Sequence, residues 1–228
     1  MDKANLLDER LLIYSVAAGA VLLGAESVRA DVIPVITNVT LDTDGDVFNV
    51  EFAGSTKFTI EFTAVSNTYT YDGSTYTSYG YLVDVLAQTA DASWRGGSGY
   101  GVFGPSALDY GDPVKDGPTA NWARRTSATG NMAYYYTYFS GGSGNFFGRT
   151  NKFLGLRFII GGQTNYGWVE IAEVPDDVSS VTIAGYAYET APDLEILAGL
   201  VPEPNALALL ALGAAGVAAT RRRAITRS

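Results

Sequence analysis

FLGLRFIIGGQTNYGWVEI, residues Phe153–Ile171, carries two alternating patterns around a pair of glycines. Leu154, Leu156, Phe158 and Ile160 share one parity, and Arg157 sits on the other. In the second arm Val169 and Ile171 oppose Trp168 and Glu170. Period two is the mark of a strand with one buried and one wet face. GGQTN between the arms is turn chemistry. The stretch therefore predicts a β-hairpin that turns through 161–165 and sends its aliphatic parity inward.

The same pattern extends outward. After VPDDVSS, the run VTIAGYAYE predicts a further strand over Val181–Glu189. Upstream, FNVEF alternates Phe48, Val50 and Phe52 against Asn49 and Glu51, and KFTIEFTAV alternates Phe58, Ile60 and Phe62 against Thr59, Glu61 and Thr63. Thr, Val, Tyr and Phe suit a pleated surface. DTDGD, YDGS, RGGSGYG and FSGGSGN supply turns, and no long window has helical periodicity. These features predict an all-β chain, an antiparallel β-sandwich or jelly roll over 31–199.

Composition narrows the chemistry. The 228 residues contain no cysteine and no histidine. Disulfide staples are excluded, and so are the common zinc sites and nucleophile–base triads. Between Asp31 and Pro204 there are 20 acidic and 8 basic residues, a surface that repels nucleic acid and anionic lipid. Neutral sugars and divalent cations remain compatible partners. DTDGD places Asp42, Asp44 and Asp46 at alternate positions, a weak calcium candidate. It departs from an EF-hand loop at position 6, Val47, and position 12, Ala53. The plainer reading is a polar turn entering the strand at Phe48, with no cofactor.

A glycosidase needs two carboxylates across a cleft. Glu170 and Glu173 offer themselves by spacing alone, with opposite strand parity, and Asp176 and Asp177 fall in a turn. The expectation is a protein without enzymatic activity. Two segments, SNTYTYDGSTYTSYGYL and MAYYYTYFSGGSGNFFG, are rich in tyrosine. Their rings either pack a sheet face with the hydroxyls outward or form a platform for a polysaccharide. Under the second reading Tyr69, Tyr71 and Tyr76 are the candidate glycan contacts, joined by Trp94 and Trp122 near glycine-rich loops.

Both ends read as addresses rather than as fold. LLIYSVAAGAVLLGA, Leu11–Ala25, is an uncharged apolar run of h-region length, and Val28 and Ala30 occupy the small-residue positions a signal peptidase reads. A signal peptide over 1–30, helical in its apolar run, cut between Ala30 and Asp31, is expected. At the other end, VPEPNALALLALGAAGVAATRRRAITRS fills Val201–Ser228. Pro202 and Pro204 hold the chain extended around Glu203. An apolar helix over about 205–220 follows, short for a bilayer, and Arg221, Arg222 and Arg223 close it. Positive charge beside an apolar span stays cytoplasmic, so the folded domain would lie outside.

This order of parts resembles the PEP-CTERM sorting signal of exosortase substrates in Gram-negative bacteria. FLGLRF, YGWVEI, GYAYE and ILAG likewise resemble a domain of uncharacterised function found in many PEP-CTERM proteins. The resemblance implies export, and recognition of residues 200–228 by an integral-membrane exosortase after signal peptidase has acted. It also implies association with exopolysaccharide and biofilm matrix. The expected location is the cell envelope, by membrane anchor or, after processing, outside the cell. The expected role is structural or adhesive, with a carbohydrate-binding module as the alternative.

Overall fold

The computed structural model describes residues 31–97, 104–118, 120–123, 130–138 and 140–201. The expected signal peptide, the Pro202–Glu203–Pro204 motif, the membrane helix and Arg221–Arg223 lie outside them. Among the described residues there is no helix, hence none long and apolar enough to cross a membrane.

The strands in chain order are β1 Val32–Leu41, β2 Val47–Phe52, β3 Ser55–Tyr71, β4 Ser74–Ala87, β5 Ser93–Arg95, β6 Ala107–Leu108 and β7 Pro113–Val114. They continue as β8 Trp122–Ala123, β9 Gly130–Tyr136, β10 Gly141–Ser143, β11 Arg149–Ile160, β12 Gln163–Val174, β13 Val181–Glu189 and β14 Ile196–Leu197. All ladders are antiparallel. One sheet has the order β1-β13-β12-β11-β5-β8, with β6 also on β11, and a second runs β10-β9-β4-β3-β2. Their apolar faces share one core, which makes the fold sandwich-like.

The alternating parities chose the inner faces. Phe58, Ile60 and Phe62 of β3 and Leu154, Leu156 and Phe158 of β11 have no solvent exposure. Phe52 stacks on Phe158 across the layers, with ring centroids 4.0 Å apart and planes 9° apart. Each fully buried ring or aliphatic side chain contributes about 1.5–3 kcal/mol of transfer free energy. The two glycine-containing pairs Ala53–Gly54 and Gly161–Gly162 have positive φ at both positions. That is the two-residue hairpin turn whose twist matches the strands. The β11–β12 turn therefore needs only Gly161–Gly162, and Gln163, Thr164 and Asn165 belong to β12 rather than to a longer loop.

The expected wet face of β11 and β12 is covered. Phe153, Tyr166 and Trp168 are buried with Leu108, Val114 and Ile196 in a second apolar cluster. A two-stranded ladder of β7 and β14 lies over them, tied by Ala198 N–H to Asp112 O at 2.9 Å and Gly111 N–H to Ala198 O at 2.8 Å. Arg95 donates to Pro113 O, and Lys115 pairs with Glu195. Gly155 leaves the space: a Cβ there would meet Leu108 and Val114 at 3.0 and 3.4 Å.

Candidate functional site

The second sheet positions the candidate surface. β3 and β4 pair along their whole length, from Phe58 opposite Ala87 to Tyr71 opposite Ser74. Their first halves fill the core. Beyond Val65 the pair becomes a solvent-exposed ribbon, because core-facing Phe58, Ile60 and Phe62 give way to Ser66, Thr68 and Thr70. Asp72 and Gly73, φ 49° and 73°, close it with the same positive-φ turn chemistry.

Side chains alternate on this ribbon. One face carries threonines, with the Thr68 and Thr77 hydroxyls 3.4 Å apart. The other carries Asn67, Tyr69 and Tyr71 from β3 and Tyr76 and Ser78 from β4. Tyr69 and Tyr76 stack as a cross-strand pair, centroids 5.6 Å apart. β9 adds its own tyrosines from the neighbouring side. Tyr136 lies over Gly80, where a Cβ would come within 2.4 Å of the ring. Tyr138, just past β9, meets Tyr69 edge to face at 5.2 Å and 87°.

These groups enclose an open trough of about 390 Å³ lined by Asn67, Tyr69, Ser78, Tyr136 and Tyr138. Ser78 is the small residue on the middle strand; the rings on either side form the walls. Tyr71 and Tyr138 remain 73% and 59% exposed, unusually open for large aromatic side chains. The Tyr69 phenol is pushed above its ordinary value, first by desolvation and then by Tyr138 and Tyr76. It therefore stays a neutral hydrogen-bonding group across the physiological range.

The two tryptophans do not join this surface. Trp94 is fully buried in the sandwich core, and its indole N–H donates to Gly97 O at 3.0 Å. The glycines after it predict a loop; the strand pairing Trp94 to Leu156 and Ala123 holds it inside instead. Trp122 lies on the outer face of the other sheet, at the edge of the covered cluster. The Arg157 guanidinium sits 5.0 Å from its ring centroid and Tyr166 packs 6.0 Å away. Arg157 is itself held by Ser93 Oγ at 3.1 Å and Asp116 Oδ1 at 2.9 Å. Burial raises the Tyr166 phenol above its usual value.

The acidic turn is committed to the backbone. Asp46 Oδ2 accepts from the N–H groups of Asp42 and Thr43 at 3.1 and 2.9 Å. Asp44 Oδ1 accepts from Ala64 N–H at 2.9 Å, and Asp42 Oδ1 from the Thr43 hydroxyl at 3.1 Å. Among the described residues, no three carboxylates gather where one ion could bind.

Glu170 and Glu173 stay on β12, where the ladder to β13 has irregular register. Asp177 accepts from the Ser179 hydroxyl and N–H, which hold its carboxyl below the usual range. A carboxylate missed in the sequence lies in the second sheet instead. Asp84 of β4 is buried opposite Glu61 and beside Asn131. Asp31, expected to follow the signal cut, has its carbonyl held by Thr190 N–H at 3.2 Å.

Residues 200–223 match the PEP-CTERM protein-sorting motif. The chain thus carries a PEP-CTERM domain at these residues. The motif marks it for export to the cell envelope or surface by way of exosortase. No curated protein and no solved structure gives a significant match.

Proposed function

We propose that this is a non-enzymatic cell-surface or extracellular-matrix protein with a structural or adhesive role linked to exopolysaccharide. The sorting motif at 200–223 carries the reading. Signal peptidase removes residues 1–30 and leaves Asp31 first. The apolar run over about 205–220 then holds the tail in the membrane, with Arg221–Arg223 inside and the β domain outside. Exosortase recognises Pro202–Glu203–Pro204 and releases the domain from that anchor. No cofactor is needed, and the net charge of −9 keeps nucleic acid away.

Mass spectrometry of both ends of the protein recovered from its own cells tests this. A start at Asp31 and loss of Arg221–Arg223 are the expected results. An untrimmed chain in the cytosol overturns the proposal. A second reading, a carbohydrate-binding module, is favoured by one observation: Tyr69, Tyr71 and Tyr76 stand together on the exposed face of a projecting ribbon.

A further inference from the structure

We infer that the trough lined by Tyr69, Tyr136 and Tyr138 is a binding site for a neutral polysaccharide, and that Ser78 gives it its depth. The inference rests on the carbohydrate-binding reading and assigns it a place. Three observations carry it. The first is construction. Tyr69 on β3 and Tyr138 after β9 stand at 87° to each other, so one ring presents a face where the other presents an edge. Beside this corner the middle strand lines the trough with Ser78. A pyranose ring has an apolar face of C–H groups and a rim of hydroxyls. A corner of this kind takes the face on one ring and leaves the rim to polar neighbours.

The second observation is the polar set. The Asn67 amide and the Ser78 hydroxyl line the same trough as the three phenols. A mostly aromatic surface with a few directed hydrogen-bonding groups is how small-molecule sites fix orientation. Sugar hydroxyls both donate and accept, and these side chains can answer in either sense.

The third observation is charge. None of the five lining residues is a carboxylate or a cation, and the chain as a whole carries −9. An anionic polymer would find no counter-charge at the trough and repulsion around it. The occupant is therefore a neutral glycan. The trough is open and lies on a ribbon that projects from the core, which suits an internal stretch of polymer rather than a chain end.

The test is affinity electrophoresis of the full chain in neutral detergent, through native gels containing hydroxyethylcellulose, dextran or alginate. A neutral polymer should retard the wild type, and alginate should not. Ser78→Trp fills the trough without removing a ring and should abolish the retardation. Tyr69→Ala should weaken it about tenfold, the scale of one aromatic contact. Tyr69→Phe should keep it. Thermal melts establish that each variant is folded, and Tyr138→Ala replaces any that is not.

Retardation that survives Ser78→Trp and Tyr69→Ala alike overturns the site while leaving glycan binding elsewhere on the domain. No retardation of the wild type by either neutral polymer overturns both the site and the reading beneath it. A glycan-independent dimer in sedimentation that Ser78→Trp dissolves makes the occupant a second copy of this chain, and the proposal fails.

Discussion

Asn131 donates from Nδ2 to the Asp84 carboxylate at 3.0 Å, and both side chains are buried within the five-stranded sheet. Burial raises the Asp84 carboxyl from 3.8 to about 6, with the Asn131 hydrogen bond opposing and Glu61 on the next strand assisting. The folded state thus holds this proton more tightly than the unfolded chain does. The stabilisation is fully present below about pH 4 and is lost as pH rises through 6. Asp84→Asn mimics the protonated group and adds a donor beside the unpartnered Asn131 Oδ1. The variant is expected to match the wild type near pH 4 and to exceed it at pH 7.5 by up to about 2–3 kcal/mol. Paired chemical melts across that range read the difference; a gap independent of pH contradicts the account.

Removing the Phe52 ring tests the joint between the sheets. It stacks on Phe158 and also contacts Phe58, Tyr186 and Tyr188. Phe52→Ala is expected to cost about 3–5 kcal/mol, because the four surrounding aromatic rings cannot collapse into the void. Urea unfolding measures it, and a loss below about 1 kcal/mol would mean that the layers do not meet here.

Gly130 is required by its neighbour. A Cβ at this position would come within 2.6 Å of the Trp94 ring, which is enclosed and cannot retreat. Gly130→Ala should destabilise by about 1–3 kcal/mol and shift the tryptophan near-ultraviolet dichroism. An unperturbed spectrum would show that Trp94 has room to move.

The Asp42–Asp46 turn should ignore calcium. Asp46 already caps two backbone N–H groups. Asp46→Ala is expected to cost about 0.5–1.5 kcal/mol, the net worth of such bonds, since water takes over the exposed donors. The melting temperature of the wild type should not rise in excess Ca²⁺, since a ligand of the native state must stabilise it.

The ribbon tip should fray by itself. Gly73 sits at φ 73°, a region unfavourable to a side chain, but it packs against nothing. Gly73→Val should speed amide exchange from Tyr69 to Tyr76 and leave the global melt almost unchanged. A large drop in melting temperature would place the ribbon inside the cooperative core.

What the sequence made legible was parity. Phe58, Ile60 and Phe62, and Leu154, Leu156 and Phe158, point inward as their alternation requires. Val181–Glu189 is a strand with those bounds. Alternation cannot say whether the opposite face meets water, so the cover over Phe153 and Trp168 was invisible. Its strands, β7 and β14, are two residues each, too short to show a period. Trp94 was misplaced for a related reason: three residues beside a glycine-rich stretch carry no pattern of their own. The tyrosine segments were conspicuous separately. Their meeting depends on β9 pairing with β4, a contact between distant parts of the chain that local composition cannot encode.

One consequence follows from how the domain is entered and left. β1 and β13 are antiparallel neighbours, with Val32 opposite Glu189 and Thr190 bonded to Asp31. A tensile load applied between residues 31 and 190 would peel this ladder rung by rung, each bond taking the strain in turn. Traction entering at the ribbon and leaving past β13 instead passes through the interlocked aromatic rings and does not pull directly on β1. Were the domain tethered by its tail, that seam would then lie off the line of force.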